Sequence, residues 1–166
     1  MRIKGMVALI TGGAGGIGAA IARRLAADGA AAIGIGDIDL AAAESMADQL
    51  NKSGVRAFAA RGDVGDAEQV RALIAGAEKT LGPIDLMCSN AGIFTASAGE
   101  ASDLDWERSW RVNVMSNVYV AREIVPRMIS RGGGYLMITC SAAGLLANRN
   151  APYMATKHAA VAFAEW

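Results

Sequence analysis

Short apolar runs alternate with helix-like segments along the whole chain, and this alternation constrains the fold more than any other feature. The apolar runs have the length of buried strands, and the segments between them carry apolar residues at helical spacing. Strands joined through helices lie parallel in one sheet, and right-handed crossovers place helices on both faces. The sequence therefore predicts an α/β, doubly wound fold with a mostly parallel sheet, in which residues 1–166 form a single domain.

Turn and capping residues set the predicted boundaries. Five strands are predicted, at Met6–Ile10, Ala31–Gly36, Val55–Ala60, Ile84–Ser89 and Tyr135–Cys140. Five helices are predicted, at about 16–27, 40–52, 66–81, 102–130 and 152–166. Asp39 and Asp66 are typical helix N-caps, and Ser102 with Asp105 marks another helix start. Pro126 predicts a kink or a late break in the fourth helix.

Polar residues follow the predicted strands at the point where each strand ends. A glycine-rich stretch follows the first strand, and single polar residues follow the others, namely Asp37, Asp63, Asn90 and Ser141. In a doubly wound sheet the carboxyl ends of the strands meet at one edge, and ligands bind there at the switch in strand order. These positions therefore predict a ligand site along that edge.

The stretch from Thr11 to Gly18, Thr-Gly-Gly-Ala-Gly-Gly-Ile-Gly, lies between the first strand and its helix. Gly12, Gly16 and Gly18 allow backbone angles and a close approach that a Cβ would obstruct. The helix N-terminus that follows has unpaired N–H groups and a dipole that favour a pyrophosphate. The motif indicates a dinucleotide-binding Rossmann fold, although a glycine triplet is also compatible with a tight turn that binds nothing.

Asp37 lies nineteen residues after Gly18, at the end of the second predicted strand. A carboxylate there can accept hydrogen bonds from the adenosine ribose hydroxyls and would repel a 2′-phosphate. Gly15, within the glycine loop, offers no basic side chain for such a phosphate. Both observations favour NAD over NADP, and the alternative is that Asp37 is a solvated loop acid beside Asp39.

Tyr153 and Lys157 are four residues apart at the start of the last predicted helix, so both side chains lie on one face. A phenol normally ionises near pH ~10, and an adjacent ammonium favours the phenolate, which suits a tyrosine to acid–base work. Ser141, twelve residues before Tyr153, carries a hydroxyl that can stabilise a developing oxyanion. The set predicts acid–base chemistry at the oxygen of a carbonyl or an alcohol, with Tyr153 as the group that exchanges the proton.

Together these motifs resemble the classical short-chain dehydrogenase/reductase (SDR) family. The match consists of Thr11-Gly-x-x-x-Gly-Ile-Gly18, Asp63-Val64, Asn90-Ala-Gly92, Asn113, Ser141 and Tyr153-x-x-x-Lys157, in family order. It covers essentially the whole chain. The resemblance implies an NAD(H)-dependent oxidoreductase that acts on small-molecule alcohols or ketones.

For the cofactor, the resemblance implies that the glycine motif and the residues after the third and fourth strands form the binding site. Asp63 would bind the adenine amino group, with the Val64 backbone beside it, and Asn90 would hold the fourth strand against the adenosine half. The remaining implied cofactor-binding residues are Gly12, Gly16, Ile17, Gly18, Ala91 and Gly92, with Tyr153 and Lys157.

For catalysis, the resemblance implies that Tyr153 passes the proton and that Ser141 binds the substrate oxygen. Lys157 would bind the nicotinamide ribose and favour the phenolate, and Asn113 would hold a water in a proton relay. A plainer alternative is that Asn113 is a helix-interior polar residue meeting only water. Ser141 could likewise simply end the fifth strand, with Thr139 taking over its polar role.

The chain departs from the family pattern in its length and in one spacing. Family chains continue well past the last predicted helix, so the resemblance implies a truncated chain that lacks the C-terminal strands, the lid and the rest of the substrate lobe. The spacing from Ser141 to Tyr153 is one residue tighter than usual, which predicts a shortened loop over Leu145–Ala151. Two other functions stay open, namely a nucleotide-binding or oligomeric structural module without turnover, and epimerisation or dehydration of a nucleotide sugar.

Composition argues against several kinds of partner. Lys plus Arg equals Asp plus Glu, 16 each, so electrostatics give no reason to expect nucleic acid or an anionic membrane. No apolar run is long enough to cross a bilayer, and no Cys/His cluster has metal-ligand spacing. Cys88 and Cys140 are predicted to be buried, reduced thiols inside strands. These features predict a cytoplasmic protein.

Apolar residues outside the strands predict a pocket and an interface. The predicted pocket residues are Ile93, Phe94, Leu145 and Leu146, with the loop Phe94–Ser102 shaping the same pocket. They favour a hydrophobic or ring-bearing alcohol. The apolar helix that carries Trp106 suits self-association, which predicts a homo-oligomer, either a dimer or a tetramer.

Overall fold

The computed structural model describes residues 2–95, 101–147 and 150–166. The strands are β1 Val7–Thr11, β2 Ala32–Asp37, β3 Arg56–Arg61, β4 Leu86–Ser89 and β5 Tyr135–Ile138. The helices are α1 Gly16–Ala27, α2 Leu40–Lys52, α3 Ala67–Leu81, α4 Asp103–Trp110, α5 Ser116–Ser130 and α6 Ala151–Glu165. A π-helical segment, Arg111–Met115, joins α4 to α5, and a 3-10 turn, Ala142–Gly144, follows β5.

The five strands form one parallel sheet in the order β3-β2-β1-β4-β5. In this register Val7 of β1 lies beside Ala32 of β2, and Ala8 lies beside Leu86 of β4. The chain moves outward from β1 to β3 and then returns to the other side of β1. The switch in strand order therefore lies between β1 and β4, which confirms the predicted doubly wound Rossmann fold.

Helices cover both faces of the sheet because successive β1 side chains point to opposite sides. Ala8 and Ile10 belong to a buried cluster with residues of α1 and α2, such as Leu25 and Met46. Leu9 belongs to a second buried cluster with residues of α3 and α5, which include Ile74 and Ile124. Each cluster removes apolar surface from water on one face, and the two together hold the sheet between its helices.

The capping residues begin the helices as predicted. The Asp39 carboxylate accepts a hydrogen bond from Ala42 N–H at 3.1 Å at the start of α2. The Asp66 carboxylate accepts hydrogen bonds from the first turn of α3. Ser102 and Asp105 form a full capping box at the start of α4, with each side chain bonded to the other residue's backbone N–H. These bonds satisfy N–H groups that have no partner inside the helix.

Helical structure runs from Asp103 to Ser130 as predicted, but it contains a π-helical segment that was not predicted, and the predicted late break at Pro126 is absent. The regular helix ends at Trp110, the π-helical segment follows, and α5 then continues through Pro126 to Ser130. The physical reason is tertiary, because Asn113 inside the π-helical segment is hydrogen-bonded to Ile93 and Thr156, which belong to other parts of the chain. The 3-10 turn after β5 was likewise not predicted.

Strand β5 is shorter than predicted and ends at Ile138, so the prediction that Cys140 lies inside a strand is wrong. The carbonyl of Thr139, one residue past the strand, accepts a hydrogen bond from the Lys157 ammonium at 2.9 Å. Cys140 is therefore half-buried in a loop, whereas Cys88 is fully buried in β4 as predicted.

Helix α6 packs on α4, the π-helical segment and the 3-10 turn, and it brings its first turn to the carboxyl edge of the sheet. Two predicted loops are described only in part, since residues 96–100 of Phe94–Ser102 and residues 148–149 of Leu145–Ala151 lie outside the described residues. In the part of the chain that the structure describes, none of the helices combines the length and the apolar character needed to cross a bilayer.

Candidate functional site

The glycine loop between β1 and α1 closes so tightly that side chains are excluded. Gly12 and Gly16 have φ of 61° and 49°, a left-handed conformation that other residues rarely adopt. A Cβ on Gly18 would lie 2.0 Å from the carbonyl oxygen of Gly12. The loop therefore depends on glycine both for its turn and for the contact of the helix with the end of β1.

The N-terminus of α1 has no internal partner for its first N–H groups. Its N-cap, Gly15, makes no side-chain capping bond, and the first turn contains no acidic residue. Unpaired N–H groups and the helix dipole favour a negative charge at this end. Both features fit the pyrophosphate position that the sequence predicts at Gly16, Ile17 and Gly18.

A cavity of about 320 Å³, here called the β2–β3 cavity, opens beside the glycine loop. Its lining includes six residues predicted to bind a cofactor, namely Gly12, Asp37, Asp63, Val64, Ala91 and Gly92. The ends of β2 and β3 thus bring two carboxylates together with the glycine loop, at the carboxyl edge of the sheet where a ligand site was predicted.

Both acids of the β2–β3 cavity are held by backbone N–H groups. Asp37 accepts hydrogen bonds from Ala14 N–H of the glycine loop at 3.1 Å and from Asp39 N–H at 3.2 Å. Asp63 accepts one from Gly65 N–H at 2.8 Å. Asp37 is therefore tied to the glycine loop rather than being a freely solvated loop acid, and each carboxylate retains lone pairs that can accept further bonds.

Asn90 joins the ends of three strands. Its amide nitrogen donates to the carbonyls of Thr11 and Gly12 at 3.0 and 3.2 Å. Its amide oxygen accepts a hydrogen bond from the Thr139 hydroxyl at 3.0 Å. The Thr11 hydroxyl in turn accepts hydrogen bonds from the N–H groups of Asn90 and Ala91. Asn90 therefore fixes the glycine loop against the chain that leaves β4 and β5.

A second cavity of about 520 Å³, here called the β4–β5 cavity, contains the predicted catalytic triplet Ser141, Tyr153 and Lys157. Its lining shares five residues with the β2–β3 cavity, namely Gly12, Gly15, Ala91, Gly92 and Ile93. The two cavities are therefore neighbouring parts of one cleft along the carboxyl edge of the sheet. A dinucleotide that follows the glycine loop would reach from one cavity into the other.

Lys157 is a buried cation, with 5% of its surface exposed. Its ammonium donates to the Thr139 carbonyl at 2.9 Å and lies 5.7 Å from the centre of the Tyr153 ring. Burial lowers the pKa of Lys157 below its usual 10.5, and the neighbouring Cys140 has a smaller effect in the opposite direction. A Cβ on Gly92 would lie 3.5 Å from this ammonium, so the backbone after β4 covers the charge closely.

Tyr153 and Ser141 supply the hydroxyl groups of the β4–β5 cavity. Tyr153 is half-buried in the first turn of α6, where its N–H donates to Asn150 Oδ1 at 2.8 Å. Its ring lies 5.0 Å from the ring of Phe94. The Ser141 hydroxyl caps the 3-10 turn by accepting a hydrogen bond from Ala143 N–H at 3.1 Å. Despite the tight spacing along the chain, both hydroxyl-bearing residues line the same cavity.

Asn113 lies in the π-helical segment and is 1% exposed, so the alternative that it meets only water is wrong. Its Oδ1 accepts a hydrogen bond from Ile93 N–H at 2.8 Å, and its Nδ2 donates to the Ile93 carbonyl at 3.0 Å. Nδ2 also donates to the Thr156 hydroxyl at 3.1 Å. The role of holding a relay water stays a prediction. The side chain itself bonds to Ile93 and Thr156 and so links two distant segments of the chain.

Several polar residues that hold the site together were missed or undervalued at the sequence level. The Thr11 hydroxyl accepts a hydrogen bond from Asn90 N–H, and the Thr156 hydroxyl accepts one from Asn113 Nδ2. The Thr139 carbonyl accepts one from the Lys157 ammonium. The available signal was their position, since Thr11 opens the glycine motif and Thr156 directly precedes Lys157. Position alone does not reveal which distant group a small hydroxyl will meet.

Comparison with known proteins gives consistent results. A family model described as short chain dehydrogenase matches residues 6–166. A cyclohexanol dehydrogenase of Acinetobacter sp. is 34% identical over 160 residues, which are 95% of this chain and 63% of that protein. The 7alpha-hydroxysteroid dehydrogenase of Escherichia coli K12 is 32% identical over 160 residues, 96% of this chain and 62% of that protein.

A (+)-cis,cis-nepetalactol synthase of Nepeta racemosa is 34% identical over 165 residues, 96% of this chain and 60% of that protein. Among solved structures, a short chain dehydrogenase/reductase from Burkholderia phymatum in complex with NAD superposes with a TM-score of 0.94. That structure is 32% identical, and the match covers 99% of this chain and 59% of the other. In each of these comparisons the chain spans less than two thirds of the other protein's length.

Proposed function

The chain belongs to the short-chain dehydrogenase family, and from this premise we propose that it is an NAD-dependent oxidoreductase that interconverts a secondary alcohol and a ketone. One observation carries the proposal, namely that Ser141, Tyr153 and Lys157 line a cavity that shares its lining with the glycine loop. A proton-transfer group and a dinucleotide site are thereby neighbours in one cleft, as hydride transfer requires.

The residues of the cleft fit a nicotinamide dinucleotide. The uncapped N-terminus of α1 suits a pyrophosphate, and Gly18 lets α1 pack directly on the end of β1, because a Cβ there would lie 2.0 Å from the Gly12 carbonyl oxygen. Asp37 would accept hydrogen bonds from the adenosine ribose, and Asp63 with Val64 would contact the adenine. Lys157 would contact the nicotinamide ribose. When bound, the nicotinamide supplies the hydride acceptor for oxidation and the hydride donor for reduction.

The preference for NAD over NADP rests on Asp37. Its carboxylate lines the β2–β3 cavity and would repel a 2′-phosphate. Arg61 lies beside Asp37 on the neighbouring strand and is the basic group that could oppose this effect. The Arg61 guanidinium instead donates to the Ile38 carbonyl at 3.3 Å. This bond supports assigning the selectivity to Asp37.

Proton transfer is assigned to Tyr153. In oxidation, the phenolate of Tyr153 would accept the hydroxyl proton of the alcohol while Ser141 hydrogen-bonds the same oxygen. The buried ammonium of Lys157 lies 5.7 Å from the centre of the Tyr153 ring, beside the group that exchanges the proton. In reduction the proton moves the other way, and Tyr153 acts as the acid. Ser141 holds the substrate oxygen in both directions.

The substrate is assigned as an uncharged alcohol or ketone on an apolar framework. Lys157 is the one ionisable cation among the described residues that line the β4–β5 cavity, and its ammonium is already bonded to Thr139. Large apolar side chains are exposed at the cavity, with Ile17 at 64% and Phe94 at 67%. An apolar ring packed on Phe94 would cover this surface. The names of two relatives, for cyclohexanol and a hydroxysteroid, agree with this class.

Two further properties predicted from the sequence, a homo-oligomeric state and a cytoplasmic location, stay predictions. Helix α4 supports self-association because it exposes large apolar side chains, with Leu104 at 60%, Trp106 at 38% and Trp110 at 46%. Sedimentation velocity of the parent protein and of Trp110→Ser tests this, and a monomeric parent protein would contradict it.

The function is tested by NADH formation with a series of secondary alcohols and by replacement of one phenol. Tyr153→Phe is expected to lower turnover by about 10²- to 10⁴-fold, because it removes the proton-transfer group and keeps the ring. NADH affinity, measured by calorimetry, should stay unchanged. Tyr135→Phe is the matched control, since Tyr135 lies on β5 outside the lining of the cleft.

Equal turnover in Tyr153→Phe and the parent protein would remove the acid–base role. NADH binding without turnover of any alcohol or ketone would instead favour a nucleotide-binding module. Turnover of a nucleotide sugar by epimerisation or dehydration would instead favour the other chemistry that the sequence left open.

A further inference from the structure

Buried polar side chains form a hydrogen-bonded path that runs from β4 to the backbone of Tyr153. The path starts at Ser89, whose hydroxyl donates to Asn117 Oδ1 at 2.7 Å. Asn117 Nδ2 then donates to the backbone carbonyl of Asn113 at 2.9 Å. Neither Ser89 nor Asn117 touches the cleft, so neither has a place in the chemistry assigned above.

The orientation of the Asn117 amide follows from its neighbours. A backbone carbonyl can only accept a hydrogen bond, so Asn117 must turn its NH₂ group toward Asn113. Its oxygen then faces Ser89 and accepts the hydrogen bond from the Ser89 hydroxyl. Both hydrogen bonds form in only one of the two orientations of the Asn117 amide, so together they fix the side chain in that orientation.

The π-helical segment explains why Asn113 has side-chain support for its carbonyl. Ser116 N–H donates to the carbonyl of Arg111, five residues back, which is one residue more than in an α-helix. Side chains of the following turn then bond to the carbonyls of the widened segment. Ser116 Oγ donates to Val112 at 2.6 Å, and Asn117 supports Asn113.

From Asn113 the path continues to α6. The two amide atoms of Asn113 bond to the N–H and the carbonyl of Ile93, which lines both cavities of the cleft. Nδ2 also donates to the Thr156 hydroxyl, which lies 2.7 Å from the Pro152 carbonyl and 3.0 Å from the Tyr153 carbonyl. The path thus ends on the turn of α6 that carries the phenol.

All the side chains of the path are out of contact with water, since Ser89, Asn113, Asn117 and Thr156 are each at most 5% exposed. In the described part of the chain, no buried side-chain nitrogen or oxygen lacks a hydrogen-bond partner. A buried network in which every member is satisfied is rigid and favours one arrangement.

We propose that Asn117 and Thr156 are positioning residues, which hold Tyr153 at its place in the cleft through the hydrogen-bonded path from Ser89 by way of Asn113. The inference rests on the proposed function of Tyr153. Asn117 sets the position of the Asn113 carbonyl, Asn113 sets the distance between Ile93 and Thr156, and Thr156 holds the first turn of α6. Loss of any link lets the phenol move relative to the cleft.

The test is a double-mutant cycle on kcat. Asn117→Leu and Thr156→Val keep the side-chain volume and remove the polar links. Each is expected to lower kcat on the order of 10- to 100-fold, because a displacement of about 1 Å can have effects of that size. KM for the alcohol and the Kd for NADH should stay within about twofold of the parent values. The kcat of the double variant should be no lower than that of the more impaired single variant, because both substitutions interrupt the same path.

Ser116→Ala is the matched control, since it removes a side-chain bond from the same π-helical segment but not from the path. It is expected to lower Tm and leave kcat unchanged. If Asn117→Leu does not fold, Ser89→Ala takes its place in the cycle. Multiplicative losses in the double variant, or equal losses of kcat in Ser116→Ala and Asn117→Leu, would overturn the path. Failure of the proposed function would be seen separately, as full turnover in Tyr153→Phe or none in the parent protein.

Discussion

The β2–β3 cavity and the β4–β5 cavity share five lining residues, yet they hold their charges in opposite ways. The carboxylates of the first cavity, Asp37 and Asp63, are half-buried and accept hydrogen bonds from backbone N–H groups. The cation of the second cavity, Lys157, is almost fully buried and has a backbone carbonyl as its partner. One cavity is suited to recognising a polar ligand, and the other is suited to moving a proton.

The difference follows from how each cavity is built. The β2–β3 cavity uses the glycine loop and strand ends, so its donors and acceptors are placed by backbone geometry within a short stretch of chain. The β4–β5 cavity depends on α6, which meets the sheet edge only through contacts between distant segments, such as the bond from Lys157 to Thr139. Variants should therefore separate binding from turnover.

The largest expected effect is on the glycine loop. Gly18→Val places a Cβ 2.0 Å from the Gly12 carbonyl oxygen, so α1 must move away from the end of β1. The expected result is a loss of NADH affinity of about 100-fold or more and a loss of stability of roughly 3 kcal/mol. Calorimetric titration and denaturant unfolding measure the two quantities. Gly76→Ala on α3 is the control, since Gly76 lies outside the lining of the cleft and a Cβ there meets only the Phe58 ring, at 3.4 Å; equal effects at both positions would contradict the close-contact explanation.

Lys157→Met should affect turnover more than cofactor binding. It keeps the length of the side chain but removes the ammonium beside the Tyr153 ring, so kcat is expected to fall by about 100-fold. The Kd for NADH, by calorimetry, should rise by about tenfold at most, since the glycine loop and Asp37 remain. Lys79→Met on α3 is a matched control outside the lining of the cleft. An unchanged kcat would remove Lys157 from the chemistry.

The burial of Lys157 also predicts a pH dependence of stability. Its pKa is lowered by burial below 10.5, so the unfolded chain keeps this proton to a higher pH than the folded chain. The contribution of this group to the free energy of unfolding therefore rises as the pH increases from the folded pKa toward 10.5. Denaturant unfolding across that window should favour the parent protein progressively over Lys157→Met. A constant difference between the two proteins would argue against a shifted pKa.

Asp37→Ala sharpens the comparison on the side of the β2–β3 cavity. NADH affinity should fall by about tenfold and NADPH affinity should rise relative to it, because the carboxylate that repels a 2′-phosphate is gone. The adjacent acid provides the control. Asp39→Ala removes the N-cap of α2 and should lower stability by about 1 kcal/mol without changing the ratio of the two affinities. Equal binding of NADH and NADPH by the parent protein would indicate that Arg61 offsets Asp37.

The smallest expected effect concerns the two thiols, and it needs no turnover. Cys140 lines the β4–β5 cavity, whereas Cys88 is fully buried and burial raises its pKa to about 12. Iodoacetamide should therefore label Cys140 and leave Cys88 unmodified in the folded protein. Saturating NADH should slow labelling of Cys140 several-fold if it occupies the cleft. Peptide mass spectrometry measures the extent of labelling at each cysteine over time. An equal rate at Cys140 with and without NADH would contradict that occupancy.

The sequence by itself determined the doubly wound fold, the helix starts and the positions of the predicted site residues. These features depend on local properties, namely apolar periodicity, capping groups and the backbone freedom of glycine in Gly12 and Gly16. The Tyr153 and Lys157 pairing was also readable, because helical spacing places both on one face.

Only the tertiary structure decided the π-helical segment, the exposure of Cys140 and the polar path to Tyr153. Each depends on a contact between residues far apart in the chain. Asn113, for example, meets Ile93 across 20 residues and Thr156 across 43, and these bonds hold open a helical turn that local spacing would have left regular. Periodicity reports which side of an element is buried, but the partner of a buried amide is chosen by how the elements pack.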